Sequence, residues 1–122
     1  MSSEKTRQNF YHTVKEWEDY VLNGVNKNGL PVMLSSNPSD IIACEPFEKI
    51  VSMGIEALQF IRELYDNDIN GPESYLIRGH GLPSAVKYIM DEKFVIPADV
   101  SGNIVQMEEY TRSWLDENMG KL

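Results

Sequence analysis

Phe10, Val14, Trp17 and Val21 follow one another at steps of four, three and four residues. Only a helix of about 3.6 residues per turn carries such positions on one side, so the start of this chain is constrained to an amphipathic helix with a buried stripe. Tyr11 and Leu22 broaden that stripe. The helix is read over residues 3 to about 23, with Ser3 as cap, Glu4 at the positive end of the dipole and Gly24 as the stop.

The same period recurs along the chain. Pro46 suits the first position of a helix, where its missing N–H would be unpaired anyway. Phe47, Ile50, Val51 and Met53 then share a face, and Gly54 reads as a left-handed stop. Residues 55 to about 67 carry Ala57, Leu58, Ile61, Leu64 and Tyr65. A single glycine between two such segments predicts an αα-hairpin with tightly packed neighbours.

Pro83 opens a further helix with Ala85, Val86, Ile89 and Met90. Asn103 caps a last one, to about residue 118, with Gln106 reaching back three residues later. Met107, Tyr110, Trp114 and Leu115 line its face, and Glu108 with Arg112 forms a favourable i,i+4 pair.

Two short runs, residues 30–34 and 94–96, lie beside Pro31 and Pro97 and are expected to be extended, with the option of pairing. No repeat, low-complexity tract or linker divides residues 1–122. The expectation is a single all-α domain of about five helices, an irregular helical bundle with at most one small extended element.

Charge narrows the partners. Eleven Lys and Arg stand against 19 Asp and Glu, a formal net charge of −8, and the cations form no stripe. Phosphate backbones are neutralised by clustered Lys and Arg, so nucleic-acid binding is disfavoured. The acids are dispersed in short groups, as on a solvated surface. One cysteine, Cys44, cannot form an internal disulfide. No apolar run approaches the ~18 residues of a membrane span, and residues 1–9 do not resemble a signal peptide. A soluble cytoplasmic protein with no membrane partner is expected.

Four places offer chemistry. Asp66-Asn67-Asp68-Ile69-Asn70-Gly71 matches the first half of a calcium loop, in which Asp66, Asp68 and Asn70 would supply alternating oxygen ligands. The twelfth position, where a bidentate glutamate closes such a site, is Ile77, which favours a polar helix-ending turn instead. His12 and Glu16, four apart on the first helix, could face one metal, but two ligands do not make a site.

Arg78-Gly79-His80-Gly81 joins a histidine to flexible backbone. Such a loop can hold a general base, although no nucleophile stands in a recognisable setting and a tight loop before a helix accounts for the glycines. Cys44 precedes the Pro46 helix, whose dipole could lower a thiol pKa; its apolar neighbours Ile41, Ile42 and Ala43 favour an inert buried cysteine. Trp17 and Trp114 are read as core aromatics.

The segment Phe47-Glu48-Lys49-Ile50-Val51-Ser52-Met53-Gly54-Ile55-Glu56-Ala57-Leu58-Gln59-Phe60-Ile61 resembles HEAT-type helical repeats. Together with Pro97-Ala98-Asp99-Val100-Ser101-Gly102-Asn103, Met107 and Trp114-Leu115, it is also similar to a group of small uncharacterised bacterial helical proteins. These motifs cover about a third of the chain and are mostly packing residues. Residues 73–94 depart from the group, which has a tryptophan-rich helix there. The resemblance implies an all-α, HEAT-like fold and carries no catalytic residue.

The functional expectation is a non-catalytic protein-protein interaction domain whose acidic surface prefers a basic protein partner, an immunity- or antitoxin-like role being one version. The alternative is a small hydrolase or metal-assisted enzyme using Arg78 to Gly81, with acids from residues 66–73. A calcium-stabilised domain is a third reading. Tyr11 and Leu22 suit a core or a dimer seam equally, so the oligomeric state stays open.

Overall fold

The apolar stripe of the first helix is covered along its whole length: Phe10, Val14, Trp17 and Val21 are all buried. The computed structural model describes residues 2–35, 39–67, 71–100 and 102–118. Helix α1, Ser2–Asn23, is the spine against which α3 (Glu45–Ser52), α4 (Glu56–Asp66) and α5 (Pro72–Leu76) pack. The order is completed by the short α2 (Ser39–Ile42), α6 (Leu82–Met90) and α7 (Ile104–Asn118). Five of these helices have eight residues or more, and the fold is all-α.

Trp17 is the central knot. Its indole N–H donates to the carbonyl of Ile41 at 2.8 Å, and its ring lies 5.6 Å from that of Phe47. A buried indole keeps its apolar body in the core only if its one donor is satisfied, and α2 supplies that acceptor. Ion pairs tie the outer faces: Arg7 to Glu63 joins α1 to α4, Lys49 to Glu16 joins α3 to α1, and Arg62 to Asp116 joins α4 to α7.

The two glycine-separated helices do not form the expected tight hairpin. Gly54 is left-handed, φ 68°, as read, but α3 and α4 each pack chiefly on α1 rather than on each other. The α1 stripe is broad enough to accept both helices.

The run 30–34 is not a strand. After Gly24 the chain turns back on itself; the Asn26 side-chain oxygen accepts the amides of Asn28 and Leu30, and Gly29 takes φ 81°. Val25 faces Pro31 in an isolated antiparallel bridge, made by Asn26 N–H to Leu30 O and Val32 N–H to Gly24 O. Pro31 is tolerated because it occupies the position that donates nothing. Val32–Leu34 then closes as a 3₁₀ turn, and among the described residues no bridge links it to residues 94–96, of which Phe94 is extended.

The largest departure lies between residues 72 and 90. The stretch Arg78 to Gly81, expected as a loop, is part of a π-helical turn, Ile77–Gly81, that joins α5 to α6 without a break. Leu82 N–H donates to Ile77 O, five residues back. Pro83 has no N–H to give, and in an α-helix its ring would press on the carbonyl of residue 79; a widened turn relieves both. The glycines serve packing rather than flexibility. A Cβ on Gly79 would overlap Ile104, and one on Gly81 would overlap Trp17.

Helix α7 begins as read, with the Asn103 side-chain oxygen accepting Gln106 N–H at 3.1 Å. Met107, Thr111 and Leu115 face the core, while Tyr110 and Trp114 lie on Phe94. Glu108 does not pair with Arg112 but reaches Arg78; Arg112 approaches Asp66 at 3.7 Å. No helix among the described residues is long and apolar enough to cross a membrane.

Candidate functional site

The π-turn holds the histidine considered as a general base, and its geometry is that of a scaffold. Arg78 points inward. Its Nε donates to Glu108 Oε1 at 2.9 Å, Nη2 to Tyr65 O at 2.7 Å, and Nη1 to Asn67 O. The Tyr65 hydroxyl returns a hydrogen bond to Arg78 O, and the guanidinium lies 5.7 Å from the Tyr65 ring centroid. The cation is thereby committed to closing the C-terminal end of α4 onto α7.

His80 is half-buried, and loss of hydration holds its imidazole below the usual histidine range. Its backbone carbonyl accepts the Ser84 hydroxyl at 2.9 Å. The Ser84 hydroxyl is thus turned to the main chain, not to the imidazole, and no carboxylate among the described residues bonds to the ring. A nucleophile, a base and a group to orient it are not assembled here.

Asp66, the first of the proposed calcium ligands, ends α4 and pairs with Arg62 at 2.9 Å. Asp68 and Asn70 lie outside the described residues. Glu16 pairs with Lys49 at 3.6 Å, and although His12 lines the same small cleft, no third ligand among the described residues joins them. Among the described residues no group of three or more His, Cys, Asp or Glu converges as a metal site. Cys44 is half-buried, and desolvation pushes its thiol pKa up, against any pull from the helix that follows.

The surface offers a different place. A cleft of about 500 Å³ runs between α2, α3 and α6, lined by Ile42, Ala43, Phe47, Val51, Glu48 and Tyr88 among others. Tyr88 meets Phe47 edge-on, with centroids 5.7 Å apart and planes at 80°, yet stays 61% exposed. Glu48 has no ion-pair partner among the described residues. Its neighbour Lys49 is turned elsewhere, to Glu16 and Glu45, while Lys87, next to Tyr88 in sequence, lines a separate cleft with Asp91 and Glu92. His80 lines neither of these clefts.

An apolar cleft with an exposed aromatic wall and one uncompensated carboxylate can bind but has no group placed for chemistry. Sequence reasoning passed over Tyr88 because it lies off the apolar stripe of its helix; a large aromatic beside Lys87 on the solvent side was the available signal. The chain matches no family model, no curated protein and no solved structure.

Proposed function

We propose that this chain is a non-catalytic protein-binding domain whose acidic surface receives a basic partner protein. The observation that carries the reading is how the charges are distributed. Arg7, Lys49, Arg62, Arg78 and Arg112 are each held by a carboxylate of the scaffold. Exposed acids such as Glu48, Glu56, Glu92 and Glu109 have no ion-pair partner among the described residues. Five of the eleven cations are therefore held in the fold's own ties, and with 19 acids against those eleven the field reaching a partner is net negative.

Such a field speeds encounter with a positively charged protein and repels nucleic acid. A basic toxin held by an immunity- or antitoxin-like protein is one case of this reading. The test is capture from the source lysate by the immobilised chain, beside a variant with Glu48, Glu56, Glu92 and Glu109 all replaced by lysine. A stoichiometric basic protein released by rising salt and lost in the variant is expected. An acidic partner, or one kept equally by the variant, would overturn the reading.

A further inference from the structure

We infer that the cleft between α2, α3 and α6 is an anchor site for an arginine side chain of the partner, an inference that rests on the acidic-surface reading above. Arginine is both apolar and charged: a three-carbon stem ends in a planar, always-charged guanidinium that stacks on aromatic faces and pairs with carboxylates. The cleft offers both halves of that chemistry. Ile42, Ala43, Phe47 and Val51 supply apolar lining, while Tyr88 supplies an exposed ring and Glu48 a carboxylate.

The ring is held for the task. Edge-on packing against buried Phe47 fixes Tyr88 while leaving most of its surface open, so little ordering is needed on binding. The negative charge is also available, because Glu48 has no ion-pair partner among the described residues and its neighbour Lys49 is paired with Glu16 and Glu45. A purely apolar occupant would bury Glu48 without a partner, which is costly. An acidic occupant would be repelled.

The experiment is a titration of the isotope-labelled full chain with an acetylated hexa-arginine peptide, followed by amide chemical shifts. Hexa-citrulline, isosteric and neutral, and hexa-lysine run beside it. Saturable shifts centred on Phe47, Glu48, Val51 and Tyr88 are expected, with no binding of citrulline and weaker binding of lysine.

Tyr88→Ala and Glu48→Gln should each weaken binding about fivefold, the usual size of one exposed cation–π contact or ion pair, while Glu92→Gln stays near wild type. Glu48→Gln changes only an exposed group, so it tests the site even if Tyr88→Ala loosens the fold. Hexa-arginine that binds with shifts elsewhere, or equally to both variants, overturns the anchor site and leaves the acidic-surface reading standing. No binding of hexa-arginine at low salt overturns both.

Discussion

Arg78 and Glu108, thirty residues apart, meet at 2.9 Å with the arginine almost wholly buried and the glutamate largely so. Through the same guanidinium the carbonyls of Tyr65 and Asn67 are also satisfied. One side chain thus closes the end of α4, the π-turn and the first half of α7 into a single unit.

Removing that guanidinium strands a carboxylate and two carbonyls. Arg78→Met is expected to cost about 3 kcal/mol in urea unfolding, at the low end for a broken buried pair because Glu108 can partly rehydrate. Arg78→Lys restores the charge but not the fork, so it should recover less than half of the loss. The double variant Arg78→Met/Glu108→Leu should be more stable than Arg78→Met alone. Equal stability of Arg78→Met and wild type would show that the network contributes nothing.

The two buried glycines of the π-turn differ in what they face. Gly79 abuts the Cβ branch of Ile104, the first residue of α7, which can shift with that helix end, whereas Gly81 abuts the ring of Trp17, which is fixed by its bond to Ile41. Gly81→Ala is therefore expected to cost about 3 kcal/mol and Gly79→Ala about 1, as overpacking goes. A reversed order in thermal unfolding would mean that the Trp17 ring is not rigidly held.

The parts of the fold legible in the sequence were those fixed by local period. Phe10, Val14, Trp17 and Val21 of the α1 stripe, the Asn103 cap and the left-handed Gly54 stand where their residues placed them, and the Pro46 helix starts one residue early, at Glu45; Leu22, read into the same stripe, is exposed. What escaped was decided by partners far along the chain. Arg78-Gly79-His80-Gly81 has the composition of a loop, yet those glycines answer to Ile104 and Trp17, and that arginine to Glu108. Residues 30–34 have strand composition, but the turn begun at Gly24 uses their hydrogen bonds. The cleft was illegible for the same reason: Phe47 and Tyr88 meet only after α3 and α6 have packed.

Asp91 is the one non-glycine residue with positive φ among those described, at φ 56° and ψ −123°. A side chain there is strained by about 1–3 kcal/mol, and replacement by glycine costs somewhat less in unfolded-state entropy. Asp91→Gly should raise stability by about 1 kcal/mol, which corresponds to roughly 4 °C in Tm. An unchanged or lower Tm would mean that the Asp91 side chain makes a compensating contribution.

Burial disfavours the charged form of His80, so its pKa in the fold lies below its ordinary 6.5. The unfolded chain then binds the proton first. Stability contributed by keeping His80 neutral is full above pH 6.5 and declines as pH falls from there towards the lowered value. Asp40, held down by hydrogen bonds from Ser35 and Asn26, and Asp116, held down by Arg62, act in a separate window, losing their contribution only as pH falls below about 4. His80→Gln should flatten the stability profile between pH 7 and 5 and leave the acid limb intact. An unchanged drop in that variant would assign it to another group.

The central claim is that unpaired surface acids bring a basic protein to this chain, and the most direct measurement is the association rate of the captured partner as a function of ionic strength. The account predicts a rate that falls steeply as salt rises through the physiological range, with dissociation changing much less, and that the lysine-substituted variant is slow at every salt concentration. A rate independent of salt, equal in wild type and variant, would contradict it.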